Sequence, residues 1–206
     1  FSVVEKRVVK EVERALNDYY TLGPNVFPPP APFSETTCLG TAPITTGCSS
    51  NPSVNQGRIP ANPTPAAWTP GAYILQGSPS SWFQANGWRE LVYYAPAYAC
   101  TNPAGPNCTW CSLNPTDPGC SVATGGGFIT LNVPPGTPLA PPLAPQKVVV
   151  IAVGKAIGSQ MRGTNPEKTM PSNYVELENA NADNTYVKDV VSVNFNDRAV
   201  SVPYPP

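Results

Sequence analysis

Six cysteines are the residues of this chain whose type and spacing most readily support chemistry. They are Cys38, Cys48, Cys100, Cys108, Cys111 and Cys120. Cys108 and Cys111 form a C-x2-C pair, a spacing used by zinc sites, and two flanking cysteines could complete a four-thiolate site. The other spacings are irregular, and the neighbouring segments are rich in Pro, Gly, Ser and Thr. The pattern therefore favours disulfides that staple loops in an oxidising compartment.

The sequence favours one particular disulfide, Cys38–Cys48, because it closes a short loop away from the other four cysteines. Those four allow three connectivities, and the sequence does not choose between them. A redox role for the C-x2-C pair is disfavoured because the strand-to-helix context of such motifs is missing.

The densest group of oxygen ligands lies in residues 176–184. Asn179, Asn181 and Asp183 alternate there as the oxygens of a calcium-binding loop do. The segment lacks a Gly at a sharp turn and a bidentate Glu downstream. An Asx-rich turn, in which these side chains bond the local backbone, is therefore the favoured interpretation. We therefore expect no cofactor. The alternative is a calcium ion bound by Asn179, Asn181 and Asp183.

The composition argues against several classes of function. Histidine is absent and charged residues make up only 12% of the chain. The commonest general base and metal ligand is therefore missing, no Ser or Cys can have a His partner, and we do not expect an enzyme. The formal net charge is −1 and no basic run occurs, which argues against a nucleic-acid partner.

Residues 68–110 are rich in aromatic side chains, which have two interpretations. One is a sugar-binding or adhesive platform. The favoured one is a set of core and loop-anchoring side chains, because long proline-rich loops need large side chains to fix them. The residues are Trp68, Tyr73, Trp82, Phe83, Trp88, Tyr93, Tyr94, Tyr98 and Trp110.

Residues 1–22 carry the periodicity of an amphipathic helix. Apolar side chains recur there at spacings of three and four, and charged side chains, Glu5 among them, cover the other faces. The helix is expected to end at Gly23-Pro24. It cannot bury its stripe alone, so it must lie on the rest of the chain. The stripe consists of Val4, Val8, Val12, Leu16 and Tyr19.

Strand patterns follow the helix at four places. They are Glu90–Tyr94, Phe128–Val133, Val148–Val153 and a hairpin over residues 190–202. Residues 23–70 and 101–146 are loop-rich excursions, and residues 147–206 hold the C-terminal strands. This order predicts an α+β fold class: one domain over residues 1–206, with a long N-terminal helix packed on an antiparallel β-sheet and disulfide-stapled loops outside.

Three patterns in this order resemble type IV pilin-like proteins: type IV pilins, minor pilins and type II secretion pseudopilins. The helix closes on A-L-x-x-Y-Y from Ala15 to Tyr20, followed by a Gly/Asn turn and Phe27-Pro28, as in that family. Gly87–Tyr94 is similar to the family's entry to its first strand, and Asn194–Val202 to its closing hairpin. The Cys- and Pro-rich middle finds no counterpart and looks like an elaboration.

Phe1 and Glu5 also resemble the start of a mature pilin. In the family the Phe is methylated and the Glu helps to register subunits, so the resemblance implies an assembly role for both residues. Lys6 and Arg7 depart from the family pattern, in which about twenty apolar residues continue the helix into the membrane. The helix segment that would enter the inner membrane is therefore expected to be absent here.

The resemblance implies a structural subunit of a type IV pilus-like or type II secretion-type filament, assembling through its N-terminal helix with other pilin-like subunits. The expected location is the bacterial inner membrane before assembly, then the periplasm or an extracellular filament. A minor pilin or pseudopilin is favoured, because such long loops would burden every subunit of a dense filament. The alternative is a secreted, disulfide-stabilised binding or adhesion module that displays aromatic loops.

Overall fold

The computed structural model describes residues 2–78, 80–97, 100–101, 129–132, 146–176, 179, 185–187 and 197–203. The helices are α1 (Ser2–Leu22), α2 (Trp82–Ala85), α3 (Trp88–Leu91) and α4 (Asn165–Lys168), with 3-10 turns at Thr36–Cys38, Pro70–Leu75 and Pro171–Asn173. The strands are β1 (Gly57–Arg58), β2 (Val92–Pro96), β3 (Thr130–Asn132), β4 (Gln146–Ala152), β5 (Thr185–Val187) and β6 (Arg198–Pro203).

The main sheet has four strands in the order β1-β2-β4-β6, and every neighbouring pair in it is antiparallel. Together with helix α1, this sheet confirms the α+β class. A second, two-stranded sheet joins β3 to β5 in parallel, which departs from the antiparallel expectation. The chain between these two strands is long enough for the crossover that parallel pairing needs.

Three predicted strands are close to observed ones: residues 90–94 correspond to β2, residues 128–133 to β3 and residues 148–153 to β4. Strand β4 is buried at every residue, as its run of β-branched side chains predicts. Strand β2 begins later than predicted, because Trp88–Leu91 forms the short helix α3 after Gly87 adopts a left-handed φ of 69°. Strand β6 pairs with β4, whereas the first arm of the predicted hairpin, residues 190–196, lies outside the described residues.

Helix α1 packs on the main sheet, chiefly against β4 and β6. Val8, Val12, Leu16 and Tyr19 are buried, which confirms most of the predicted stripe. Val4 is an exception, because 55% of it is exposed. In the part of the chain that the structure describes, no helix has the length and apolar character to span a membrane.

The end of α1 depends on a glycine. A Cβ atom at Gly23 would lie 2.5 Å from the carbonyl oxygen of Tyr19, so only glycine permits this close approach. The chain then turns back beneath the helix, and Phe27 enters the core. Tyr20 stacks on Phe27 with ring centroids 4.9 Å apart, which fixes the angle at which the loop leaves the helix.

The loop-rich excursion at residues 23–70 is tied to the core by its own side chains. Phe33 and Ile59 are buried in the main core, and a small second cluster surrounds the Cys38–Cys48 disulfide. The sequence predicts few core residues here because these side chains are scattered and show no period. Each is nevertheless large enough to anchor an irregular segment.

Candidate binding groove on the helix

One face of α1 forms a wall of an open groove, which we call the helix groove, with a cavity volume of about 410 Å³. The opposite wall comes from the 3-10 turn at Pro70–Leu75 and from the α2–α3 corner. The lining residues are Val4, Arg7, Val8, Glu11, Arg14, Tyr73, Ile74, Trp82, Asn86 and Trp88.

Helical spacing explains the first wall. Val4, Arg7, Glu11 and Arg14 recur at intervals of three and four, so they share one face of α1 beside the buried stripe. The 3-10 turn lies close against this helix, since a Cβ atom at Gly71 would meet Asp18 at 2.8 Å. Glycine at this position therefore allows the second wall to approach α1.

The α2–α3 corner positions the two tryptophans of the groove. The Ser81 hydroxyl donates to the carbonyl of Ile74 and accepts from the backbone N–H of Gln84, which caps α2 and ties it to the 3-10 turn. Trp82 contacts Phe83 edge to face, with ring centroids 6.0 Å apart. Both Trp82 and Trp88 remain half-buried, so part of each ring is open to the groove.

A fully buried arginine supports this corner from inside. The Arg89 guanidinium donates to the Gln84 side chain at 2.9 Å and to the carbonyls of Ile59 and Leu75 at 2.5 Å. Burial lowers the pKa of Arg89 to about 9. The side chain of Gln84 in turn donates to the carbonyls of Gly40 and Ala42, so the network joins three loops.

The groove carries an excess of positive charge. Arg14 pairs with Glu11 at 3.0 Å, whereas Arg7 is exposed and has no ion pair or hydrogen bond with any residue that the structure describes. Lys10 pairs with Glu13 at 2.7 Å on the neighbouring face and does not line the groove. One unpaired guanidinium is therefore available beside the aromatic wall.

The predicted Cys38–Cys48 disulfide is confirmed, with an S–S distance of 2.07 Å. Cys100 is also disulfide-bonded, as predicted for a stapled loop. Cys108, Cys111 and Cys120 lie outside the described residues, so the connectivity within that group stays open.

Of the three calcium-ligand candidates, only Asn179 lies among the described residues. Its side-chain oxygen accepts from the backbone N–H of Val187 at 2.8 Å, and its Nδ2 donates to Asp197 Oδ2 at 3.4 Å. Asn181 and Asp183 lie outside that part of the chain. The described residues contain no group of three or more His, Cys, Asp or Glu side chains able to hold a metal ion. Calcium at these residues stays the untested alternative to the expected absence of a cofactor.

Phe1 and Glu5 are the two residues to which the resemblance to pilins assigns a role in assembly. Phe1 lies outside the described residues. Glu5 is only 4% exposed, so its expected place on the charged faces of α1 is wrong. It precedes Val8 by three residues and Val12 by seven, which places it on the buried stripe. Burial raises the pKa of the Glu5 carboxyl, and the charge of Arg198 on strand β6 partly opposes this rise. The assembly role of Glu5 stays a prediction, and its carboxyl faces the sheet side of α1.

Some of the aromatic residues in 68–110 are core side chains, and others are accessible, as a sugar-binding or adhesive platform would require. Trp68, Phe83, Tyr93 and Tyr94 are buried core residues, as the favoured interpretation expects. Tyr73, Trp82 and Trp88 line the helix groove instead. Tyr98 and Trp110 lie outside the described residues. No sequence signal indicates that Arg7 and Arg14 face these aromatic rings, because the two walls are distant along the chain.

No family model, curated protein or solved structure matches this chain. Function is therefore inferred from its own residues and their geometry. The groove offers aromatic faces, two guanidinium groups and one carboxylate, which together are suited to binding.

Proposed function

We propose that this chain is a structural subunit of a type IV pilus-like or type II secretion-type filament and that it assembles through helix α1. One observation carries the proposal. The helix buries one stripe on an antiparallel sheet and keeps another face open, with Val3 78% exposed in its first turn. A 21-residue helix at the front of a sheet domain is an element that a neighbouring helix can pack against.

The open face of α1 combines apolar and charged groups. Val3, Lys6, Lys10 and Asn17 are all exposed there. Helix surfaces of this kind pair through apolar contacts, while flanking charges select the partner. The proposed partners are other pilin-like subunits, and the proposed location is the inner membrane before assembly, then a periplasmic or extracellular filament. The resemblance of the helix end and the strand entries to pilin-like proteins supports this proposal.

The proposal is tested by electron microscopy of filaments sheared from producing cells and labelled with antibody against this chain. The native chain should appear on the filaments. Val3→Asp should fold, as judged by an unchanged melting temperature, and be depleted from filaments because it places a charge on the open face. Met161→Asp replaces an exposed apolar residue outside α1 and should label like the native chain. Label found only on soluble monomers would overturn the proposal.

The second candidate is a secreted binding or adhesion module, which the helix groove favours. Such a module would be recovered from the culture fluid as a monomer, and Val3→Asp would not change its distribution. The filament-labelling experiment therefore separates the two candidates.

A further inference from the structure

We infer that the helix groove binds a carboxylate-bearing sugar chain. The groove is open to solvent on one side and has a volume of about 410 Å³. This volume lies within the ~300–1,000 Å³ of pockets that hold small ligands, and an open groove admits part of a longer chain. The inference does not rest on the filament proposal, since it concerns a surface of the isolated chain.

The aromatic wall suits the apolar face of a sugar ring. A pyranose presents C–H groups on its faces and hydroxyls around its rim. Tyr73 is 54% exposed, and the rings of Trp82 and Trp88 are half-buried beside it. Aromatic rings that already pack on the protein on one side lose little conformational freedom when a ligand binds. They also combine apolar faces with polar edges.

The helix wall supplies the polar part of the site. Arg7 has a guanidinium that makes no hydrogen bond or ion pair with any described residue, and a guanidinium binds a carboxylate through two parallel hydrogen bonds. Arg14 lies two helical turns further along the same face, and its guanidinium is 3.0 Å from the Glu11 carboxylate. Asn86 and Glu11 also line the groove. Asn86 Nδ2 donates to the Trp82 carbonyl and Glu11 Oε2 accepts from Arg14, so Asn86 Oδ1 and Glu11 Oε1 are the atoms left to accept from sugar hydroxyls.

The charge balance decides between an acidic and a neutral sugar. Two guanidinium groups face one carboxylate, so the groove carries one excess positive charge although the whole chain has a net charge of −1. A neutral sugar would leave Arg7 without a charged partner. An acidic sugar pairs with it beside apolar rings, where the water that would screen the pair is partly displaced.

Titration calorimetry with tetragalacturonate and with its methyl ester tests the inference. The two probes share ring shape and hydroxyls but differ in charge. We expect saturable binding of the acid that is at least about tenfold tighter than binding of the ester, since charge-assisted hydrogen bonds are the stronger kind. No saturable binding of the acid, or equal affinity for both probes, would overturn the inference.

Matched variants locate the site. Arg7→Gln and Tyr73→Ala should each weaken binding at least about tenfold while keeping the native melting temperature, because both side chains are exposed. Lys6→Gln removes a cation from the same helix outside the groove and should leave the affinity unchanged. An equal loss with Lys6→Gln would indicate non-specific attraction. Self-association that Tyr73→Ala abolishes would assign the groove to a second copy instead. Either result overturns the inference.

Discussion

At the scale of single residues, buried arginine side chains donate hydrogen bonds to loop carbonyls that have no partner in a helix or sheet. Arg58 donates to the carbonyls of Phe33 at 2.6 Å and Lys168 at 2.5 Å, and its guanidinium lies 4.2 Å from the Phe33 ring centroid. Arg89 does the same for the loops behind the helix groove. Irregular segments leave many carbonyls without partners, and each arginine satisfies two of them from inside the protein.

Replacing Arg89 should therefore destabilise the fold severely. Arg89→Met keeps the side-chain length but leaves the Ile59 and Leu75 carbonyls without this donor. We expect a loss of about 3–5 kcal/mol in the free energy of unfolding, measured by urea denaturation. Arg14→Met, on an exposed position of the same residue type, should cost less than about 1 kcal/mol. Similar losses in the two variants would show that Arg89 is not a structural support.

Glu5 makes stability depend on pH. Burial raises the pKa of its carboxyl in the folded chain, whereas the unfolded chain has the ordinary value of about 4.3. Above that pH the unfolded chain releases its proton more readily than the folded one. The stabilisation present at lower pH is therefore lost as the pH rises through the folded pKa.

Glu5→Gln should remove this dependence. The variant should unfold at higher urea concentration than the native chain at pH 7 and at about the same concentration at pH 4. Glu13→Gln, which alters a carboxylate paired with Lys10, serves as the control and should not stabilise the chain at pH 7. A Glu5→Gln variant that is less stable at pH 7 would mean that neighbouring positive charges, that of Arg198 among them, outweigh the cost of burial.

At the scale of elements, α1 presents three stripes with different surroundings. One stripe is buried on the sheet, one lines the helix groove, and one remains open. The buried stripe holds the helix in place, because most of the stability of helices in proteins comes from the packing of an amphipathic face. The other two stripes are then free for binding.

A pair of leucines on α1 tests this division. Leu16 is fully buried and Leu22 is 71% exposed. Leu16→Ala should lower the free energy of unfolding by about 2–5 kcal/mol through lost burial and the cavity left behind. Leu22→Ala should change it by less than about 0.5 kcal/mol. Both values come from the same denaturation experiment, and equal effects would contradict the packing of α1 on the sheet.

The sequence predicts those elements whose burial follows the helical period or a continuous apolar run. Helix α1 and strand β4 could be located because Val8, Val12 and Leu16 follow the helical period and β4 is a continuous apolar run. The burial of Glu5 follows from its spacing of three and seven residues from Val8 and Val12, although its charge assigns it to the polar faces. The exposure of Val4 could not be predicted, because Val4 lies at the edge of the stripe, where tertiary packing decides burial. The parallel pairing of β3 with β5 could not be predicted from a local sequence pattern either, because contacts between residues distant along the chain determine it.

At the scale of the whole molecule, the candidate site arises from residues that are distant along the chain. Arg7 comes from the first helix, whereas Tyr73 and Trp88 come from a turn and a corner that Arg89 holds together. The sequence indicates an aromatic-rich region but not which rings remain accessible. The helix groove forms only because α1 lies on the sheet beside that region. The open helix face and the helix groove are then neighbouring surfaces of α1.

Site-specific photo-cross-linking in producing cells is the most direct test of assembly through α1. If the proposed assembly holds, a benzoylphenylalanine in place of Val3, on the open face, should cross-link this chain to a neighbouring filament subunit and give a discrete band of higher mass. The same probe in place of Met161, an exposed residue outside α1, should not give that band. If the Val3 position yields only monomer, or if both positions yield the same bands, assembly through the open face of α1 is contradicted.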